Sequence, residues 1–387
     1  MLANLQGALS TYEDSPTSAS AAEAVVLAAS DLVSSLNSGS ATVAQVREQA
    51  DHNIATSVSA INSLLGQFTA ANNAVVTGLQ TGADVASAED TRDSIMTQLS
   101  RQIGVSTIAA ANGSESIYTD SGVTLFQTTP RAVSFAPTAT LVDGANGAPV
   151  TVDGVPITGA SSPMPIQSGA LAGYAALRDT LAPEYQAQLD QIAGGLINAF
   201  AESDQSATPT LPSLPGLFTT PGATGLPSMS AATGLAAAIE VNPSVDPPQG
   251  GNPSLLRDGG VSDPSNPAYT YNTTGSASYA GRIQELAGEI GAAQTFNPSA
   301  GLGSSSSLVD YANASVSWLQ GENKQASDSS SYQSALATQA ASALSNAAGV
   351  NLDAEMTNML NLENSYASSA KLLATVTSMF SALLQAA

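Results

Sequence analysis

The chain has 387 residues, no cysteine, and 31 acidic against 9 basic side chains, which leaves a formal net charge of −22. Without cysteine, disulfides, thiolate catalysis and cysteine-ligated metals are excluded. Nucleic acid is a poor partner because phosphate binding needs clustered basic residues, and an anionic membrane surface would repel the chain.

This length predicts two or three domains with a substantial core. No stretch approaches the roughly 20 consecutive apolar residues of a membrane-spanning helix, so no membrane insertion is expected. The first residues lack the basic and apolar pattern of a cleaved signal. If the protein leaves the cell, we expect it to use a route that reads no such signal.

Residues 1–103 show the apolar spacing of helices and predict the first part of a helical rod. One helix is expected to end at residues 37–40, where Asn, Ser and Gly follow one another. A second helix is predicted over residues 42–78, because large apolar side chains recur every seven positions, as in coiled coils and bundles. These side chains are Ile54, Ile61, Phe68 and Val75. A third helix is predicted over residues 88–103, with Ser87 as its N-cap.

At Gly104 the spacing of apolar residues changes to two, which indicates strands. Turn signals at Asn112-Gly113 and Ser121-Gly122 are typical of hairpins. We therefore predict a small antiparallel β domain over residues 104–167, with a strand at residues 140–142 among its later ones.

The next part of the chain is first helical and then irregular. Residues 168–203 regain helical spacing, with Pro183 at a joint. Residues 204–278 are rich in proline and glycine, which excludes a long helix. They predict an irregular insertion with one short helix near residues 230–238.

Residues 279–348 predict the second part of the rod, with helices over residues 280–295 and 307–348. The predicted fold class is α+β and multidomain. It consists of an elongated helical bundle or coiled-coil rod with an inserted small antiparallel β domain and an irregular Pro/Gly-rich insertion.

Residues 349–387 form one long amphipathic segment without proline or interior glycine. Apolar residues recur there in steps of three or four, which places them on one face of a helix. Ordering some 35 residues costs on the order of 1 kcal/mol each, so an uncovered apolar stripe would be poorly stabilised. We therefore predict an assembly interface formed by Leu352, Met356, Met359, Leu362, Tyr366, Leu373, Val376, Phe380 and Leu384. The spacing equally allows a terminal helix that packs on its own domain.

Residues that could carry chemistry are few, and we expect neither an enzyme nor a cofactor or metal site. His52 is the only histidine and is expected to be a solvated helix residue. Four acids, namely Asp84, Glu89, Asp90 and Asp93, lack the spacing of a calcium loop and are better explained by a helix dipole. The triplet Asn272-Thr-Thr274 matches a glycosylation acceptor, a pattern that is frequent by chance.

Three stretches resemble flagellar proteins. Residues 349–371, which begin Gly349-Val-Asn-Leu-Asp and end Ser369-Ala-Lys371, resemble the C-terminal signature of flagellar rod, hook and junction proteins. Two others resemble the family of flagellar hook-associated protein 1, the first hook–filament junction protein. They are residues 87–105, with Glu89-Asp-Thr-Arg-Asp93, and residues 168–202, with Gly169-Ala-Leu-Ala-Gly173 and Tyr185-Gln-Ala-Gln-Leu-Asp190.

The resemblance implies a secreted structural protein that forms a thin ring between hook and filament of the bacterial flagellum. The implied partners are copies of itself, the hook protein, the second junction protein and an export chaperone. In that family the N- and C-terminal helices pair into an inner layer, and the β domains face outward. The family begins with a further helical segment that contains an Asn-rich motif. Nothing like it precedes Leu2, so we expect this chain to start near the second helical layer.

Three other interpretations remain open at this point. A secreted adhesin or carbohydrate-binding module would use the two insertions, with aromatic platforms at Tyr118, Phe126, Tyr269 and Tyr271. A secreted hydrolase would need two facing carboxylates, which no motif identifies. Flagellin or the second junction protein is of the same class, but residues 168–202 disfavour it.

Overall fold

The structure is a computed structural model that describes residues 1–138, 140–348 and 352–386, without the side chains of residues 231, 347, 348, 352, 354 and 380–386. The described residues contain long α-helices and four small antiparallel sheets, which confirms the α+β class. The chain divides into two compact units, Met1–Ser317 and Trp318–Ala387. The finer domain boundaries stay a prediction.

The first unit begins with three helices, α1 (Leu2–Asp14), α2 (Ala19–Thr81) and α3 (Ala86–Gln102). α2 starts where the Ser18 side chain accepts a hydrogen bond from the Ala21 amide. It ends at Gly82, whose φ of 70° suits a residue without a Cβ. The seven-residue seam predicted from the sequence is a core face of α2, since Ile54, Ile61, Phe68 and Val75 are fully buried.

The helix end predicted at residues 37–40 is wrong, because α2 runs through them without a break. Asn37 donates from Nδ2 to the carbonyl of Ala236, 2.8 Å away. Gly39 faces Leu189, whose Cδ1 lies 3.4 Å from the point that a Cβ would occupy. The small and polar residues here make contacts with other elements, and this tertiary packing overrides their weak helix propensity.

The N-cap predicted for α3 is also wrong. Ser87 lies inside the helix, which begins at Ala86, and the Ala86 amide donates to Asp84 Oδ1 at 3.0 Å. A carboxylate at this place satisfies an unpaired amide and complements the helix dipole.

Six strands follow in two antiparallel sheets, each with its strands in chain order. They are β1 (Val105–Ala109), β2 (Glu115–Thr119), β3 (Thr124–Phe126), β4 (Val133–Ser134), β5 (Thr151–Val152) and β6 (Val155–Pro156). Their apolar side chains share one core with α2 and α3, where Phe68 meets Phe126 edge to face at a centroid distance of 5.0 Å. No strand forms at residues 140–142, contrary to the prediction.

One continuous helical stretch comes next, made of α4 (Ala170–Ala176), a π-helical turn over Leu177–Leu181, and α5 (Ala182–Ala199). Pro183 lies in the first turn of α5, directly after the π-helical turn. Proline cannot donate the regular helical hydrogen bond, and a π-helical turn absorbs such an irregularity. Every residue from 188 to 197 is buried, so α5 lies at the centre of a second core.

The irregular insertion packs on this second core. Its elements are β7 (Phe218–Thr219), α6 (Leu235–Ala238), β8 (Glu240–Val241) and α7 (Leu255–Asp258), with β7 paired to β8. α6 falls within the predicted short-helix region. Phe218, Ile239 and Leu256 are buried together with α5, so the insertion is part of the folded unit.

The helix predicted over residues 280–295 is too long. α8 (Gly281–Glu289) ends early, and the chain turns into β9 (Ala293–Thr295), which pairs with β10 (Ser305–Ser307). This turn brings Phe296 onto Tyr311, with ring centroids 4.0 Å apart. The stacked aromatic pair favours the strand over a longer helix.

Two long helices complete the chain, α9 (Leu308–Ala348) and α10 (Leu352–Ala386), and both confirm predicted helices. α9 begins in the first unit, where Leu308 and Tyr311 are buried, and continues into the second.

Among the described helices, α2 alone is long and apolar enough by composition to cross a membrane, although the sequence analysis expects no such stretch. Its most apolar window is 44% buried inside the protein. That burial is typical of a core helix.

Candidate assembly helix and buried charge cluster

The predicted assembly stripe lies on α10. Its six described members are all exposed, from 47% for Val376 to 79% for Tyr366. Leu352, Phe380 and Leu384 also lie on α10, but their side chains are outside the described ones. Three further large apolar residues that the prediction omitted are exposed on the same helix, namely Leu360, Leu372 and Met379.

This exposure bears on the two interpretations that the spacing left open. Fully burying a large apolar side chain gains about 1.5–3 kcal/mol, and the six described side chains of the stripe realise little of it in this chain by itself. Soluble proteins seldom leave so long an apolar surface uncovered unless it binds something. Every described side chain of α10 is exposed, polar and apolar alike, so the role of the stripe in assembly stays a prediction.

The small number of charged residues on α10 indicates which kind of partner the helix could bind. Its described residues carry only four charges, Asp353, Glu355, Glu363 and Lys371, and three of them lie in the first half. A helix with an apolar stripe and few charges is suited to packing against other helices. It is poorly suited to a charged ligand.

A buried charge cluster lies in the first unit, between α2 and the π-helical turn. Arg178 is fully buried and forms ion pairs with Asp51 and, at 2.7 Å, with Asp179. Arg47, 2% exposed, donates from Nε to the carbonyl of Arg178 at 3.1 Å. Two guanidinium groups and two carboxylates thus share one buried site, so their formal charges cancel.

The cluster holds the segment of residues 138–148, whose described part, Thr138 and residues 140–148, contains neither helix nor strand. The Thr138 amide donates to Asp51 Oδ2 at 2.9 Å, and the Gly147 amide donates to Asp179 Oδ1 at 2.9 Å. In the other direction, Arg178 donates to the Ala148 carbonyl at 2.9 Å. Arg47 donates to two more carbonyls of the segment, those of Val142 and Ala145. Charged side chains therefore replace the strand partners that this backbone lacks.

This environment shifts the pKa values of Arg47 and Arg178. Burial lowers the pKa of Arg47, an effect that Asp143 and Asp179 partly offset. Burial would also lower the pKa of Arg178, but its hydrogen bonds to Asp179 and Asp51 outweigh that effect and raise the pKa. The Arg178 guanidinium is thus held in its charged form by the two carboxylates.

Two further buried carboxylates fasten the irregular insertion. Asp190 of α5 accepts hydrogen bonds from the amides of Gly234 and Ala236, both at 2.8 Å. Glu202 accepts from the amide of Val261 at 2.9 Å. Burial raises the pKa of both carboxyl groups, although these amide donors pull each pKa down.

The raised pKa of Glu202 predicts a pH dependence of stability. A carboxyl group with a higher pKa in the folded state contributes most stability below its unfolded pKa and loses that contribution as the pH rises through the folded pKa. The Gln side chain of Glu202→Gln cannot ionise, so the free energy of unfolding of this variant relative to the wild type should rise as the pH increases above about 4, the usual pKa range of a Glu carboxyl. Urea unfolding at each pH measures this difference. Glu23→Gln, at an exposed position of α2, is the control. A difference that stays constant or falls with pH would contradict the prediction.

The other candidate residues from the sequence analysis are either exposed or engaged in contacts inside the protein. His52 is exposed, as expected, and so are Asp84, Glu89, Asp90 and Asp93. The described residues contain no group of three or more side chains that could hold a metal ion. Asn272 is 6% exposed and donates to Asp258 Oδ1 at 2.6 Å, so its amide is engaged inside the protein.

The aromatic platforms of the adhesin interpretation are largely unavailable. Phe126 is fully buried and Tyr269 is 3% exposed. Tyr271 packs against the Arg282 guanidinium, whose carbon lies 4.1 Å from the ring centroid. These side chains support the fold and do not form a binding face.

The sequence analysis missed the buried charge cluster. A signal was present, because Arg47 falls on the spacing Val43, Arg47, Ala50, Ile54, which is the buried face of α2. A charged residue on an apolar face needs a buried partner. The sequence alone does not show that one such partner is the backbone carbonyl of Arg178, 131 residues away from Arg47.

Comparison with known families places the chain in two steps. Residues 341–386 match the family model of the flagellar basal body rod FlgEFG protein C-terminal region, which indicates a flagellar structural protein. Residues 1–209, more than half of the chain, match the helical domain of the flagellar hook-associated protein FlgK. The chain therefore belongs to the FlgK family of flagellar hook-associated proteins.

The solved structures that are similar to this chain include that of the flagellar hook junction protein FlgK from Burkholderia pseudomallei. The two proteins share 22% identity with a TM-score of 0.43, over 56% of this chain and 39% of that one. The match thus spans well under half the length of that protein. No curated protein matches the chain.

Proposed function

We propose that this chain is a structural subunit at the junction between hook and filament of the bacterial flagellum, outside the cell, and that it carries no catalytic activity. The observation that carries the proposal is the exposed apolar stripe of α10. It lies in the region that matches a flagellar rod model, in a chain of the FlgK family. A subunit of this kind acts through its interfaces.

The proposed partners follow from that role. Copies of the same protein form a ring, the hook protein lies on one side of the ring, and the second junction protein lies on the other. An export chaperone keeps the subunit unassembled until it leaves the cell. The chaperone covers the stripe before assembly, because exposed apolar helices associate unspecifically.

Labelling the protein in cells tests this proposal and separates it from the alternatives. The chain has no cysteine, so Ser100→Cys at an exposed position of α3 gives a single labelling site. In flagellated cells that make only the labelled full-length protein, we expect one fluorescent spot at the base of each filament. Label along the whole filament would indicate flagellin, and label spread over the cell surface would indicate an adhesin. Either result would overturn the proposal.

A further inference from the structure

The sulfur-containing side chains of this chain are unevenly exposed. Because the chain has no cysteine, its seven methionines are the only such side chains. Three of them lie on α10 and are among the four most exposed, namely Met356 at 57%, Met359 at 66% and Met379 at 67%. An oxidant dissolved in water reaches an exposed thioether more easily than a buried one. α10 therefore presents the largest group of exposed methionines.

The methionines of the first unit differ in exposure and serve for comparison. Met96 and Met229 are half-buried against the two hydrophobic cores. The Sδ atom of Met229 lies 2.8 Å from the point that a Cβ on Gly194 would occupy, so this sulfur lies against the buried helix α5. Met1 and Met164 are exposed, at 59% and 39%. The chain thus contains half-buried and exposed methionines outside α10.

The methionines of α10 lie on the face that the stripe occupies. Met356 and Met359 belong to the stripe, and Met379 lies three positions after Val376, another member, which places it on the same side of the helix. Methionine suits helix packing because its flexible apolar side chain fills irregular gaps. Oxidation turns it into a polar sulfoxide, which costs free energy when it is buried between apolar side chains without a hydrogen-bond donor. Oxidation would thus change the part of α10 that a partner covers.

We propose that the methionines of α10 make assembly of the chain sensitive to peroxides. Oxidation of Met356, Met359 and Met379 in the unassembled subunit weakens association through the stripe, whereas association buries these side chains and protects them. This sensitivity rests on the proposed function, in which the stripe is an interface between subunits. A subunit is therefore vulnerable to oxidation before assembly and resistant afterwards.

The reaction needs only the peroxide as a co-reactant. The lone pair of Sδ attacks one oxygen of hydrogen peroxide, the O–O bond breaks, and an S–O bond forms. The second oxygen leaves as hydroxide and takes up the proton of the transferred oxygen, so that water is released. The sulfur is oxidised, and the peroxide is reduced by the same electron pair. Methionine sulfoxide reductases reverse the change.

Peptide mass spectrometry of the full chain after timed treatment with hydrogen peroxide tests the modification itself. In the monomer, the three methionines of α10 should be oxidised several times faster than Met96 and Met229, because their side chains are more exposed. In the associated protein, their oxidation should slow towards the rate of Met229. Equal rates for all of them in the monomer, or no protection on association, would overturn the proposal.

Sedimentation velocity before and after peroxide treatment tests the effect on association. In the wild type, treatment should weaken association about tenfold or more, and methionine sulfoxide reductases should restore it. The triple variant Met356→Leu/Met359→Leu/Met379→Leu should lose this sensitivity, because leucine is apolar and has no sulfur. Each protein is compared with its own untreated sample, so a change in basal association does not enter the result.

The matched control is the triple variant Met96→Leu/Met164→Leu/Met229→Leu, which removes three methionines of the first unit and should remain as sensitive as the wild type. An equal loss of association in both triple variants would overturn the proposal. If Leu373→Asp lowers association but peroxide treatment does not, the proposed function stands and the sensitivity to peroxides is wrong. If Leu373→Asp associates like the wild type, the stripe is not the interface, and both are wrong.

Discussion

Asp51→Ala is expected to lower the free energy of unfolding of the first unit by about 3–5 kcal/mol. The substitution leaves Arg178, which is fully buried, with one of its two carboxylate partners removed. It also removes the acceptor of the Thr138 amide, so the segment of residues 138–148 loses one of its attachments. The buried Arg178 guanidinium then has less negative charge beside it, and the backbone segment is held less firmly. Both effects lower the free energy of unfolding.

Urea unfolding followed by circular dichroism measures this effect. Asp31→Ala is the matched control, since Asp31 lies on the same helix but is exposed. Its effect should stay within about 0.5 kcal/mol. A loss for Asp51→Ala as small as that of the control would show that the cluster is not a major source of stability.

Leu373→Asp is expected to abolish self-association of the chain while leaving the first unit folded. Leu373 is 69% exposed, so the substitution removes no core contact in the isolated chain. In an assembled interface, a carboxylate would have to be buried among apolar side chains, which is costly without a partner. The expected result is a monomer at concentrations at which the wild type forms oligomers, as measured by sedimentation velocity.

Ser368→Asp is the matched control for this variant. It introduces the same charge on the same helix, at an exposed position outside the stripe. It should associate like the wild type. If Leu373→Asp also associates like the wild type, the stripe is not the interface. If it changes the thermal unfolding of the first unit, Leu373 has a structural role that its exposure does not show.

Much of the fold could be predicted from the sequence because the apolar spacing is regular. The seam of Ile54, Ile61, Phe68 and Val75 identified α2, and the change of period at Gly104 identified the strands. The wrong predictions concern residues that make contacts with parts of the chain far away in sequence. Gly39 and Asn37 look like a helix end, but they pack against α5 and bond to the insertion. Local propensity contains no information about such contacts.

The two candidate sites, the α10 stripe and the buried charge cluster, also differ in whether the sequence predicts them. The α10 stripe was predicted from spacing alone; its described members are exposed, like every described side chain of that helix, and its role in assembly stays a prediction. The charge cluster does not follow from spacing, because it joins Asp51, Arg178 and the backbone of residues 138–148 across long stretches of chain. The predicted strand at residues 140–142 fails for this reason, since Arg47 binds the Val142 carbonyl in place of a neighbouring strand.

Hydrogen exchange along α10 tests most directly whether its stripe is covered by other subunits. In the monomeric chain, the amides of α10 should exchange far faster than those of the buried face of α2, and they should become protected when the protein assembles. Strong protection of α10 in the monomer, at the level of α2, would contradict the account, because the stripe would then need no partner.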